Sequence, residues 1–154
     1  RSGPNAECCI KTTLARQIAN WVIIYSPLQM AADLIENYEG HPAFRFFRDF
    51  DADCDWSKAL QGEIGDYIVV ARRAKDRYFL GAGTDEKART LVQKLDFLEP
   101  GVTYTATIYA DAPDAGRNPE AYLIGKRAVT ARDTIRIEMA ERGGQAITFI
   151  PAEK

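Results

Sequence analysis

The stretch Tyr67-Ile68-Val69-Val70-Ala71-Arg72-Arg73, then Ala74-Lys75-Asp76-Arg77, then Tyr78-Phe79-Leu80-Gly81-Ala82-Gly83, decides how this chain folds. Tyr67, Val69 and Ala71 alternate with Ile68 and Val70, so an extended backbone here is apolar on both faces. Such a strand is central in its sheet and covered on both sides. The charged tetrapeptide is a turn, which makes the second run the antiparallel partner of the first.

Towards the C-terminus the period stays at two. Strands are predicted at Lys58–Gln61, Asp66–Ala74, Arg77–Thr84, Thr90–Leu95, Val102–Ala110, Tyr122–Thr130, Thr134–Ala140 and Gln145–Ile150. In Val102–Ala110 the residues Val102, Tyr104, Ala106, Ile108 and Ala110 point inward, and Thr103, Thr105 and Thr107 outward. Ile135, Ile137 and Met139 are inward in the seventh strand. Eight short strands separated by turn signals predict a mainly β chain, an eight-stranded antiparallel β-sandwich or barrel.

Before Trp56 the pattern is helical. Leu14, Ile18, Trp21, Val22 and Tyr25 fall at helical spacing, with Thr12 or Thr13 placed to cap. Ile23 and Ile24 lie off that stripe, so this helix is covered on more than one side. Ser26-Pro27-Leu28-Gln29 reads as a helix restart, with the second helix running from Met30 to about Glu36. A third spans Pro42 to Phe50, burying Phe44 and Phe47, with Phe46 and Phe50 as further candidates for burial. Asp51–Asp55 is an acidic linker, and Ala6–Lys11 a short strand.

At 154 residues, 46% hydrophobic and 27% charged, the chain fits one domain, or one domain plus an appended piece. A net charge of −2 gives no reason to expect nucleic acid as partner. No apolar run reaches the roughly 18 residues of a membrane span, and the opening residues do not show a signal-peptide pattern. Arg1-Ser2-Gly3-Pro4-Asn5 reads as a cut end or tag remnant, so a fragment is expected. Cys8, Cys9 and Cys54 show no metal-ligand spacing; a Cys8–Cys54 or Cys9–Cys54 bridge and three free thiols both stay open.

Several stretches together resemble glycoside hydrolase family 97. Thr12-Thr13-Leu14-Ala15-Arg16-Gln17, Tyr25-Ser26-Pro27-Leu28-Gln29-Met30-Ala31-Ala32-Asp33 and Glu36-Asn37-Tyr38 look like the end of its catalytic barrel. Leu60-Gln61-Gly62-Glu63-Ile64-Gly65-Asp66-Tyr67, Ala71-Arg72-Arg73 and Leu80-Gly81 resemble the start of its C-terminal β domain. Leu95-Asp96-Phe97-Leu98, Ala106-Thr107-Ile108-Tyr109-Ala110-Asp111 and Gly143-Gly144 continue the likeness in order. It departs at Ser57-Lys58-Ala59, shorter and basic where the family shows an acidic pair and a threonine.

The resemblance implies exo-acting bacterial α-glucosidases and α-galactosidases, often periplasmic or secreted, with an N-terminal β-sandwich, a (β/α)8 barrel and a C-terminal oligomerisation module. It implies that residues 1–55 are the terminal helices and linker of that barrel, and 56–154 the C-terminal antiparallel β domain. The partners implied are the rest of the barrel and further copies of the chain, with no nucleic acid and no membrane. Glycoside hydrolysis needs two carboxyl groups, about 5 Å apart for retention or about 6.5–9.5 Å for inversion. In a (β/α)8 barrel such groups stand at the C-terminal ends of the strands. The resemblance places them, and the calcium site, upstream of Arg1, so no catalytic, cofactor or metal residue is assigned here.

Other candidates read as structure. Arg72, Arg73, Lys75 and Arg77 are taken as a solvated hairpin tip. His41, before Pro42, is a loop residue rather than a base or ligand. Asp111, Asp114 and Asn118 offer oxygens in one loop, but Pro113, Gly116 and Pro119 mark a turn without calcium-loop spacing. Glu63 and Asp66 flank Gly65 in a polar turn. If Ala6–Lys11 is the barrel's eighth strand, the resemblance puts Lys11, Thr12 and Thr13 nearest the catalytic face, with the threonines read as caps. Trp56 and the tyrosines suit core packing before a sugar platform. The expected function is a non-catalytic C-terminal module of a glycosidase. The alternatives are a carbohydrate-binding β-sandwich and a self-contained enzyme. The apolar helical tail favours the first, because a free-standing binding module does not need it.

Overall fold

The computed structural model describes residues 11–30 and 35–152. Strands β1 (Trp56–Glu63), β2 (Tyr67–Ala74), β3 (Arg77–Thr84), β8 (Gly144–Pro151), β5 (Tyr104–Asp111) and β6 (Tyr122–Val129) form one sheet in the order β1-β2-β3-β8-β5-β6. Strands β4 (Arg89–Lys94) and β7 (Thr134–Met139) pair as a ribbon. Every pairing is antiparallel. The predicted eight-stranded antiparallel sandwich is therefore present, with six strands in one sheet and two in the other.

The large sheet is covered on both faces. Towards the ribbon, Val69, Leu80, Ala82, Tyr104, Ala106, Ile147 and Phe149 meet Ile135, Ile137 and Met139. Away from it, Phe79, Tyr109 and Ala146 meet helix α1 (Leu14–Ile23) and the short helix α3 (Arg45–Asp49). This second cover explains why β2, β3 and β8 lose the one-sided alternation seen in β7, whose pattern is buried at every second residue. It also corrects the reading of β5. Thr107 is 4% exposed and Tyr109 fully buried, because the face taken as outward lies under helices. Burial pushes the Tyr109 phenol up to about 12.

The hairpin of β2 and β3 closes at Ala74 opposite Arg77, with Lys75 in the left-handed region at φ 59°. Helix α1 starts on Thr13, whose hydroxyl accepts from Arg16 N at 3.1 Å. The restart at Ser26-Pro27 is not a helix start. The Ser26 side chain turns onto Leu28, and Met30 is not helical. A helical turn, α2, is present at Ile35–Tyr38, while 31–34 lie outside the described residues. Pro42–Phe44 is a 3-10 turn that leads directly into α3. The expected strand at Ala6–Lys11, Cys8 and Cys9 also fall outside the described residues, apart from Lys11 itself. Trp21 packs on Phe47 and Phe50 at ring-centroid distances of 4.5 and 6.1 Å, tying α1 to the α3 segment. The acidic linker is held along the hairpin. Asp51 pairs with Lys75 at 3.1 Å and Asp55 with Arg73 at 2.8 Å.

Candidate functional site at the seam between helix and sheet

The seam where α1 lies on the sheet is built from absent side chains. On the helix-facing side of β3 and β8 the paired positions are Phe79 with Thr148, Gly81 with Ala146, and Gly83 with Gly144. This is a trough that deepens towards the N-terminal end of α1. A Cβ on Gly81 would stand 2.7 Å from Ala19 O and 2.8 Å from Val22 Cβ. One on Gly144 would stand 2.7 Å from Arg16 Cα, and one on Gly83 would overlap the Arg16 guanidinium. Real side chains do not tolerate such distances, so the glycines set how close the helix sits. The helix answers with Ala15, Ile18, Ala19 and Val22, all buried and spaced one and two turns apart. Each large apolar side chain buried in this way contributes about 1.5–3 kcal/mol.

Polar groups fix the two ends. At the C-terminal end Arg72, 6% exposed, donates from Nε to Val22 O at 2.5 Å and from Nη2 to Ile23 O at 3.4 Å. Its guanidinium also stacks on Tyr25, 5.1 Å from the ring centroid. A cation there satisfies carbonyls the helix cannot pair itself and complements the negative end of the helix dipole. At the other end Leu14 N donates to Pro119 O at 2.8 Å. Arg16 donates to Thr84 O and to Asn20 Oδ1, both at 3.0 Å. Burial lowers the Arg16 guanidinium below its ordinary value, and the Asp111 carboxylate acts the other way.

Asp111 closes the N-terminal end. Its Oδ2 accepts from Ala140 N at 2.9 Å and Gly144 N at 3.0 Å, bracing the turn between β7 and β8 against the end of β5. Burial pushes its carboxyl above the ordinary range, outweighing the hydrogen bonds from Thr13, Ala140 and Gly144 and the Arg16 charge. A carboxyl raised on folding means that the folded chain holds the proton more tightly than the unfolded one. Stability from this group is therefore greatest below the unfolded value and is lost as pH rises through the raised folded value. Asp111→Asn is expected to remove that decline while keeping an acceptor for both N–H groups. Thermal midpoints measured from acid to neutral pH check it, and an unchanged pH dependence in the variant would contradict it.

This geometry of a two-layer β domain with a keyed helix coincides with a known family. Residues 53–150 match the family model described as glycosyl-hydrolase 97 C-terminal, oligomerisation. The chain belongs to glycoside hydrolase family 97. It is 32% identical over 136 residues to a retaining alpha-galactosidase of Bacteroides thetaiotaomicron, which covers 88% of this chain and 20% of that protein. A family 97 enzyme from Pseudoalteromonas sp. strain K8, solved with acarbose and with panose, superposes with TM-score 0.90 and 45% identity. The match covers 95% of this chain and 24% of that one. A β-arabinopyranosidase at 23% identity and TM-score 0.71 shares the fold. The chain thus spans about a fifth to a quarter of the length of the family 97 relatives it matches.

Within this family 97 domain the other residues singled out in the sequence are dispersed. Arg72 corrects the solvated-tip reading. Strand alternation turns it onto the helix, whereas Arg73 and Lys75 meet the linker carboxylates. Arg77 donates to Asp49 O at 3.4 Å. His41 caps the 3-10 turn, Nδ1 accepting from Ala43 N, and stacks on Tyr122 at 5.4 Å. Asp111 is not a loop residue but the last residue of β5, apart from Asp114 and Asn118 in the exposed turn. Thr13 caps α1, Thr12 bonds Gln17, and Lys11 is exposed. Trp56 opens β1 and meets Tyr78 edge-on at 6.5 Å. Cys54 is a half-buried free thiol, raised by burial.

Glu63 and Asp66 line an open groove of about 500 Å³ at the turn between β1 and β2, together with Gln61, Tyr67 and Thr84. Asp66 is committed there to Arg89 at 2.8 Å, which also binds Asp85 at 2.9 Å and stacks on Tyr67. Among the described residues no three His, Cys, Asp or Glu side chains converge to hold a metal ion. Sequence reasoning missed Arg72, Asp111 and the glycine trough. The available signal was Gly81-Ala82-Gly83 together with Gly143-Gly144, since glycine inside a strand marks a close backbone approach.

Proposed function

We propose that this chain is the non-catalytic C-terminal domain of an exo-acting glycosidase that hydrolyses terminal α-glucosidic or α-galactosidic bonds, and that it serves assembly rather than chemistry. The observation that carries the reading is the match of residues 53–150 to a domain described by oligomerisation. In this reading the catalytic carboxylates and the calcium belong to a barrel elsewhere in the parent, which is exported to the periplasm or secreted.

The surface beyond α1 supports a seat for that barrel. Ile24 is 62% exposed, Leu28 72% and Met30 80%, a run of large apolar side chains next to a helix that is itself firmly docked. Exposed apolar runs of this kind mark contact sites. The chain alone is expected to release no aryl alcohol from aryl α-glucosides or α-galactosides, whereas the parent enzyme does. Leu28→Glu with Met30→Glu is expected to change the stability of the chain alone by no more than about 0.5 kcal/mol. The same pair is expected to lower the thermal midpoint of the parent. Turnover by the repurified chain would contradict the reading, and so would an unaffected parent carrying both substitutions.

A further inference from the structure

A helix opens with N–H groups that its own backbone cannot pair. At the start of α1, two consecutive N–H groups are taken up by the β domain rather than by water. Thr13 N donates to Arg142 O at 3.4 Å and Leu14 N to Pro119 O at 2.8 Å. One such bond would leave the chain free to pivot, whereas two from neighbouring residues fix its direction as it enters the helix. Thr13 is extended and 1% exposed, while Lys11 just before it is exposed. The two carbonyls are themselves held. Arg142 stands in the left-handed region at φ 57°, which residues other than glycine rarely adopt, and its N–H donates to Asp85 O at 2.7 Å. Gly143 O accepts from Thr84 N at 3.1 Å, and Asp111 braces the same turn through Ala140 N and Gly144 N. Pro119 lies in the loop between β5 and β6, which Ala112 N closes on Ala121 O at 3.2 Å. Three loops at one end of the sandwich thus converge on two backbone N–H groups. None of the strand pairings includes Arg142 or Pro119, so this convergence is not what closes the sheets.

We propose that the β domain positions the stretch through which the parent's catalytic barrel runs into α1, with Arg142, Pro119 and Asp111 as the positioning residues. This rests on the reading of the chain as the end of a barrel enzyme, and goes beyond assembly. Helix α1 lies before the residues matched by the C-terminal family model, which begin at 53, so in that reading the chain entering Thr13 comes from the barrel. In a (β/α)8 barrel the stretch leading into a helix is a loop of the catalytic face. Holding the outer end of that loop fixes where it carries its side chains towards the substrate. Displacing such groups by about 1 Å is costly in rate, even when the change is made far from the chemistry. The domain would then act on turnover without contributing a group that touches the substrate.

Leu14→Pro and Leu14→Ala separate the hydrogen bond from the side chain. Proline suits the first helical position, and the extended Thr13 is what the residue before a proline requires. Both variants lose the leucine, but only the proline loses the N–H. In the chain alone the Thr13 amide is expected to exchange about tenfold faster in Leu14→Pro than in Leu14→Ala. In the parent enzyme Leu14→Pro is expected to lower kcat on an aryl α-glycoside about tenfold at an unchanged KM, with Leu14→Ala within about twofold of the wild type. Asp111→Ala loosens the Arg142 turn while leaving the sequence of α1 unchanged. It is expected to lower kcat likewise, and Asp111→Asn, which keeps an acceptor, to restore it. Equal kcat in the two Leu14 variants would overturn the positioning role while leaving the barrel reading intact. A loss in Asp111→Ala that Asp111→Asn does not restore would overturn it as well. Turnover of the aryl glycoside by the chain alone would overturn the barrel reading itself.

Discussion

Gly81→Val is expected to lift α1 off the sheet. The new Cβ alone would stand 2.7 Å from the Ala19 carbonyl oxygen and 2.8 Å from Val22 Cβ, and neither can step aside without moving the helix. Overfilling a close-packed seam costs about 1–3 kcal/mol when neighbours can relax. Here the nearest neighbour is helix backbone, so a loss of about 3 kcal/mol or more is expected. In a chain of this size that is a fall of about 6–12 °C in thermal midpoint. Gly116→Val is the matched control, because nothing lies within 4 Å of a Cβ at that position. Its midpoint should stay close to the wild type. Equal midpoints for the two variants would show that the glycines do not set the helix position.

Arg72→Met is the second large effect. Methionine keeps much of the apolar stem on the sheet but removes both donors to Val22 O and Ile23 O. Two carbonyls at the C-terminal end of α1 would then be left without their partner in a half-dry seam. A loss of about 2–4 kcal/mol is expected in urea unfolding. Arg72→Lys should recover less than half of it, since an ammonium on a shorter reach cannot fork between two carbonyls. If Arg72→Met unfolds at the wild-type urea concentration, the guanidinium is not what holds that end of the helix.

The paired strands were readable because their signal is local. Tyr67–Ala71 and Tyr78–Leu80 are apolar on both faces, and Ile135, Ile137 and Met139 alternate, so these strands could be placed from period alone. The division into six and two strands was not readable, because β8 reaches across to β3 and β5 from far along the chain. Thr107 misled for a physical reason. Threonine suits a strand whether water or a helix covers it, so residue type does not report the cover. Arg72 misled similarly. A basic run predicts a solvated tip, and only the position of the end of α1 shows that this one guanidinium has buried carbonyls to meet. The Ser26-Pro27 pair carries a strong helix-start pattern, yet the chain there bends without forming a helix and leaves Leu28 and Met30 exposed.

Asp111 was placed in a loop by the prolines and glycine that follow it, although the turn begins only at Pro113. Its role depends on Ala140 and Gly144, about thirty residues on, which no local pattern reveals. The glycines were visible as punctuation but not as a trough. That meaning needs the register that sets Gly83 opposite Gly144, with the helix above both.

Native-state hydrogen exchange on the intact chain tests most directly whether α1 is an integral part of this β domain. If the helix is keyed into the glycine trough, the amides of Ile18, Ala19 and Val22 exchange as slowly as those of Leu80 and Ile147 in β3 and β8, and open with them as one unit. Exchange of the helix amides orders of magnitude faster than those strands would show a helix merely resting on the sheet, and the account of the seam would be wrong.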